Sequence, residues 1–215
     1  MQHELPIYII DDEPEMCRSL SLLLATSGVP ARSFGSADLF LDTLDSLPIG
    51  VIICDVIMPG SSGLALVRAL PPLDRPDPVI VIAGHADIPL AVDALKAGAF
   101  DFIEKPFEAS VIGQAVAGAK SLLQDRMAAR QRLDALSPRE RQVLHLISQG
   151  ATSKEAARAL GISPRTVETY RVHLLEKTGA GSTAELIRLG VELDRLGVGS
   201  LAPLVAHQLD AQAVH

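Results

Sequence analysis

Short apolar runs alternate with helix-periodic segments through the first 123 residues, and capped helices with no strand between them occupy the stretch that follows. Ile7-Tyr8-Ile9-Ile10, Val51-Ile52-Ile53-Cys54 and Val79-Ile80-Val81-Ile82 are continuous β-prone runs bounded by turn formers, the pattern of parallel strands buried on both faces. Ala31 to Phe34 is a weaker second strand and Phe100 to Ile103 a fifth. Between them, Met16, Cys17, Leu20, Leu23, Leu24 and Ser27 recur at helical spacing as far as Gly28. Ser36 caps a short helix with Leu39, Phe40 and Leu44 on one face, and Gly63 to Leu70 makes the next. Asp87 caps a helix with Ile88, Ala91, Val92 and Leu95 that stops at Gly98, and Phe107 to Leu123 is the fifth. Five β–α alternations predict an α/β unit, an open parallel sheet with helices on both faces.

From Ser121 to Leu136 the chain turns to Gln, Arg, Ala, Asp and Leu without Gly or Pro, which predicts a helical linker over 124–136. Ser137-Pro138-Arg139-Glu140 is a capping box with Pro at the first helical position, and that helix ends at Gly150. Thr152-Ser153-Lys154-Glu155 opens a second helix that stops at Gly161, Ser163-Pro164-Arg165-Thr166 a third that runs to about Lys177, and Ser182-Thr183-Ala184-Glu185 a fourth that ends at Gly197. A small all-α domain over 137–197 follows. Leu160-Gly161-Ile162-Ser163 joins its second and third helices in the tight turn of a helix-turn-helix. Ala156, Ala157 and Leu160 then face Val167, Tyr170, Leu174 and Leu175, and the fourth helix, with Leu186, Ile187, Leu189, Val191 and Leu193, carries more apolar surface than one small core needs. The tail 198–215, with Leu201, Leu204, Val205 and Leu209, reads equally as helix or as disorder.

Composition adds an asymmetry. Residues 1–125 hold 17 acidic and 7 basic side chains, whereas residues 126–215 hold 9 and 12, so two units with different partners are implied. The basic second half permits contact with nucleic acid, although a solvated charged face gives the same count. No apolar run reaches the roughly 20 residues of a membrane span, and Met1-Gln2-His3-Glu4 lacks the basic flank of a secretory signal, so the expected location is the cytoplasm. Cys17 and Cys54 lie in apolar stretches and read as buried free thiols.

The carboxyl ends of the predicted strands, where ligands of such sheets bind, carry Asp11, Asp12, Asp55 and Lys105. Three carboxylates converging on one spot repel one another and call for a cation, and a small set of hard oxygen donors suits Mg²⁺. Lys105 can hold an anion that bridges to the metal, and the following Pro106 stands where a cis peptide can aim the lysine. His85 also lies near this edge, where a lone loop histidine is most often an ordinary surface residue.

An acidic pair after strand one, an aspartate ending strand three before Met58-Pro59-Gly60, and Lys105-Pro106-Phe107 after strand five resemble the receiver domain of two-component response regulators over residues 5–123. The resemblance implies a doubly wound sheet of order 2-1-3-4-5. It implies that Asp55 accepts a phosphoryl group from a sensor histidine kinase, that Asp12, Asp55 and the backbone carbonyl of Ile57 hold Mg²⁺ with Asp11 acting through water, and that Lys105 pairs with the phosphoryl oxygens. One position departs from the family pattern: Ala83 stands where a Thr or Ser hydroxyl normally couples the phosphoryl group to an aromatic residue, here Phe102. Coupling of phosphorylation to output is therefore expected to be weak or to take another route. Ile57, apolar two residues beyond Asp55, is expected to hinder hydrolytic water.

Leu136-Ser137-Pro138-Arg139-Glu140-Arg141 and Ile162-Ser163-Pro164-Arg165-Thr166-Val167-Glu168 resemble the LuxR-type output domain of FixJ/NarL response regulators. By position, the resemblance puts Glu168, Thr169 and Val172 against the bases of double-stranded DNA and Lys154, Arg165, Arg171 and Lys177 against phosphates. It further implies a homodimer on activation, paired through the fourth helix, and RNA polymerase as a partner. A transcription regulator rather than an enzyme is the expected identity. Two rivals stand beside it. A phosphohydrolase would need an acid where Ile57 stands, and a DNA-binding protein with a relic pocket, controlled by a partner, is kept open by Ala83.

Overall fold

The computed structural model describes residues 5–26, 28, 30–84 and 88–195. Ser27, His85, Asp87, Gly197 and the tail from 198 lie outside the described residues, and with them the expectations placed there. The chain divides into two compact units between Asp125 and Arg126. In the first, β1 (Ile7–Ile10), β2 (Ala31–Phe34), β3 (Val51–Asp55), β4 (Val79–Ala83) and β5 (Asp101–Glu104) form one parallel sheet in the order β2-β1-β3-β4-β5, as expected. The helices are α1 (Pro14–Thr26), α2 (Ala37–Thr43), α3 (Gly63–Ala69), α4 (Ile88–Ala97) and α5 (Ala109–Asp134), whose residues from Arg126 onward count with the second unit.

The apolar runs are continuous because both sheet faces are covered. Ile7, Ile9, Val51, Ile53, Ile80 and Ile82 pack with Leu20 and Leu24 of α1 and Ile112 and Val116 of α5. The alternate residues Tyr8, Ile10, Ile52, Cys54, Val79, Val81 and Ala83 pack with Phe40, Leu66, Val67 and Ala94 from α2, α3 and α4. Cys17 and Cys54 are free and buried within these layers. Register then fixes the carboxyl edge: Ile10 stands opposite Cys54, Asp55 opposite Ile82, and Ala83 opposite Glu104. Asp11, Asp55, Ala83 and Lys105 are thereby delivered to one edge of the sheet.

The fifth strand and the fifth helix have other bounds than the sequence predicts, the helix starting at Ala109 rather than Phe107. The fifth strand starts at Asp101. The fifth helix does not stop at Leu123 but continues to Asp134, taking in most of the expected linker, because no Gly or Pro between Ala119 and Asp134 interrupts it.

The second unit contains α6 (Pro138–Ser148), α7 (Ser153–Leu160), α8 (Pro164–Thr178) and α9 (Thr183–Arg195). Ser137 and Thr152 form full capping boxes with Glu140 and Glu155, and the Ser163 hydroxyl accepts the Thr166 N–H. Gly161 ends α7 at φ 64°, a left-handed conformation that permits the short turn into α8. Val143, Leu144, Ile147, Ala156, Leu160, Val167 and Leu174 form the core together with Leu133 and Leu136. The apolar surplus expected on α9 is smaller than its sequence suggests, since Leu186, Leu189 and Leu193 are buried in this core and Val191 is left exposed.

Glu140 is only 3% exposed, and it receives the Ser137 N–H at 2.7 Å and the Lys177 ammonium at 2.8 Å. Burial pushes its carboxyl up, but the bonds from Lys177 and Ser137 outweigh that and hold it at about 2, against an ordinary value of 4.5. A depressed carboxylate stabilises fully above its unfolded value and loses that contribution as pH falls toward its folded one. Glu140→Gln is therefore expected to destabilise this unit by about 2 kcal/mol at pH 7. Urea unfolding should show the gap from wild type closing as pH drops from about 4.5 toward 2. An equal gap at pH 7 and pH 3 would contradict the ion pair.

Candidate functional site

Asp55 is the last residue of β3, so a strand buried along its whole length ends in a carboxylate that is 7% exposed. Its Oδ1 accepts the Lys105 ammonium at 2.6 Å and its Oδ2 accepts the Ile57 N–H at 2.8 Å. Lys105 also donates to Asp11 Oδ2 at 3.0 Å, and Asp11 Oδ1 takes the Glu13 N–H at 2.9 Å. The Lys105 backbone N–H donates to the Ala83 carbonyl at 2.7 Å, and the peptide to Pro106 is cis. Burial lowers the tendency of the Lys105 amine to hold its proton, but the bonds and charges of Asp55 and Asp11 outweigh burial and raise it overall.

Three converging carboxylates were expected here, and two are found. Asp12 is exposed, and among the described residues no group of three His, Cys, Asp or Glu side chains is placed to hold a metal. Lys105 lies within hydrogen-bonding reach of both buried carboxylates and neutralises that pair itself. The donor atoms are nonetheless all oxygens, and each bonded carboxylate oxygen retains a lone pair, which fits a hard cation that keeps several waters.

Ile57 is 72% exposed beside this corner. Ala83 is buried, and half-buried Phe102 packs into the same core layer. Gly63 was not singled out in the sequence. Its N–H donates to the Val56 carbonyl at 3.1 Å, folding the loop after Asp55 back on itself, and a Cβ there would collide with the Asp55 carbonyl oxygen and crowd Cys54 Sγ. Its signal was slight: a glycine at the start of a helix, where caps usually carry the information.

In the second unit, Lys154, Arg165, Glu168, Thr169 and Val172 are exposed on α7 and α8. Two of the expected phosphate contacts are otherwise engaged. Lys177 is bound to buried Glu140. Arg171 donates to Glu168 and Ser153 at 3.1 Å each and to Thr183 at 2.8 Å. Glu168 is a neighbour on α8 itself, but Glu140, Ser153 and Thr183 come from α6, α7 and α9 only once the helices have packed.

A buried acid–lysine corner at the carboxyl edge of a doubly wound sheet, carried with a helix-turn-helix unit, defines a two-domain signalling regulator. Residues 7–117 match the family model of the response regulator receiver domain, and residues 134–189 that of the luxR family of bacterial regulatory proteins. The chain belongs to the response regulators of the FixJ/NarL type with a LuxR-type output domain, and is a DNA-binding regulator controlled by phosphorylation. It is 42% identical over 200 residues to the transcriptional regulatory protein FixJ of Bradyrhizobium diazoefficiens, covering 88% of this chain and 96% of that one. Full-length FixJ from B. japonicum matches in structure with a TM-score of 0.55 and 38% identity, over 89% of this chain and 98% of that one. The beryllofluoride-activated NtrC4 receiver domain dimer matches with a TM-score of 0.51 and 30% identity, over 53% of this chain and 94% of that one. Receiver domains of the family generally bind Mg²⁺ at the phosphorylation site, and a receiver implies a sensor kinase as partner. No helix among the described residues is long and apolar enough to cross a membrane.

Proposed function

We propose that Asp55 is the phosphoryl acceptor, and the observation that carries this is its carboxylate held by the Lys105 ammonium at 2.6 Å in a corner shared with Asp11. A carboxylate oxygen of Asp55 attacks the phosphorus of a kinase phosphohistidine. The O–P bond forms as the P–N bond breaks, and the electron pair leaves with the imidazole. Lys105 then turns from the carboxylates to the incoming phosphoryl oxygens. Asp11, Asp55 and the Ile57 carbonyl would hold Mg²⁺, and exposed Asp12 would have to swing in to join them; the ion would supply charge neutralisation for the phosphoryl group. In the reverse phase water attacks phosphorus and the O–P bond to Asp55 breaks, and the exposed Ile57 side chain slows that water's approach. The receiver thus acts once on itself and turns over no separate substrate.

Phosphorylation in the cytoplasm promotes a homodimer, supported by the exposed Ile88, Val92 and Leu95 on α4. The dimer presents α8 to double-stranded DNA and meets RNA polymerase there. Glu168, Thr169 and Val172 face the bases, while Lys154 and Arg165 meet phosphates. Because Ala83 has no hydroxyl, the step from phosphoryl group to Phe102 is weak. Footprinting and light scattering with and without a small phosphodonor test both parts. Asp55→Ala should lose every phosphodonor response, and Ala83→Thr should strengthen phosphodonor-dependent dimerisation about tenfold. A response retained in Asp55→Ala would remove the acceptor assignment, and an unchanged Ala83→Thr would remove the coupling argument.

A further inference from the structure

We propose that Ser153, Arg171 and Thr183 are positioning residues that fix the Glu168 carboxylate for reading a base, and that Arg171 is a brace rather than a phosphate contact. This rests on α8 being the recognition helix. The Arg171 guanidinium joins three helices: Nη1 donates to Glu168 Oε1 and Ser153 Oγ at 3.1 Å each, and Nη2 donates to Thr183 Oγ1 at 2.8 Å. The Ser153 hydroxyl donates to the same Glu168 Oε1. Yet the Glu168 side chain stays 56% exposed, and among the described residues its Oε2 makes no hydrogen bond within the protein.

One carboxylate oxygen is thus anchored from α7 and α8 while the other faces solvent. A carboxylate only accepts hydrogen bonds, and the negative phosphates repel it, so its partner in a major groove is an amino donor such as cytosine N4. Anchoring Oε1 in the free protein removes side-chain freedom that would otherwise be lost on binding. Three of the five Arg171 N–H groups are held within the protein and its side chain is only 25% exposed, so the guanidinium is turned toward Glu168, Ser153 and Thr183 rather than out toward a phosphate.

The test uses the full chain with a small phosphodonor, selection from a random duplex library, and titration of the selected duplex with its single-base variants. The variants are Glu168→Gln, Ser153→Ala, Ser153→Thr, Thr183→Val and Thr183→Ser. The wild type should fix a cytosine at one position of each half-site. Ser153→Ala and Thr183→Val should flatten that preference about tenfold. Their affinity for random duplex, their salt slope and their Tm should be unchanged, and Ser153→Thr and Thr183→Ser should keep the preference.

Equal weakening on all sequences, or a salt slope reduced by about one, would make these residues structural or phosphate contacts and overturn the proposal. If Glu168→Gln loses the preference while Ser153→Ala and Thr183→Val keep it, positioning alone fails. If Glu168→Gln leaves every position unchanged, the base-reading role of Glu168 fails and positioning falls with it.

Discussion

In Lys105→Met, the receiver unit should lose about 3–5 kcal/mol of stability in the absence of divalent cations. It should then recover most of that loss when Mg²⁺ is added. Asp11 is 1% exposed and Asp55 7%, and one ammonium bonds both. Taking it away leaves two desolvated negative charges facing each other, with, among the described residues, only the amides of Glu13 and Ile57 against them. A divalent ion binding that corner stabilises the folded state by mass action, so the rise in Tm with Mg²⁺ should be several degrees larger in the variant than in the wild type. If Asp55 is the acceptor proposed above, phosphodonor uptake should fall in the same variant even at saturating Mg²⁺, because the ammonium that bonds Asp55 is gone. A Lys105→Met protein as stable as wild type in chelator, with the same response to Mg²⁺, would show that the lysine does not neutralise the corner.

Asp77→Ala should cost folding a similar amount, about 3–5 kcal/mol, with a Tm lower by roughly 10–20 °C. The Asp77 side chain is fully enclosed at the end of the sheet opposite Asp55. Its Oδ1 takes the Gly50 N–H at 2.8 Å and Arg75 Nη2 at 2.9 Å, and its Oδ2 takes Arg75 Nε at 2.9 Å. Arg75 goes on to the carbonyls of Leu47 at 2.9 Å and Pro48 at 3.2 Å, the latter also holding the Tyr8 hydroxyl at 2.7 Å. Removing the carboxylate strands a guanidinium and a buried amide at the entries to β3 and β4. Chemistry at Asp55 should persist in the folded fraction, since the clip lies at the amino ends of those strands. Thermal melts together with phosphodonor labelling separate the two effects. Normal stability would mean that the clip carries little energy, and lost labelling in folded protein would mean that it reaches the site.

Asp77 also shows where reading the sequence stops. Between Pro76 and Pro78 it looks like a turn residue, and nothing local reveals that Arg75 folds over it to reach carbonyls near residue 47. Asp55 was legible for the opposite reason. An apolar run long enough to be a buried strand ended on it, and a charge at such an end has to be answered by another group. Asp12 illustrates the intermediate case: its neighbourhood in the chain was right, but its exposed position and the direct Lys105 bridge depend on side-chain geometry that strand ends alone do not define.

Local patterns determined the strands, the capped helices and the Gly161 turn, because hydrophobic period, caps and backbone restrictions act over a few neighbouring residues. They also determined which side chains reach the carboxyl edge, since parallel strands in register carry their terminal residues to the same place. Only the tertiary structure decided the pairings: Lys105 with two aspartates, Lys177 with Glu140, and Arg171 with three helices at once. An ion pair depends on distances between groups far apart in the chain, and packing, not sequence spacing, sets those distances.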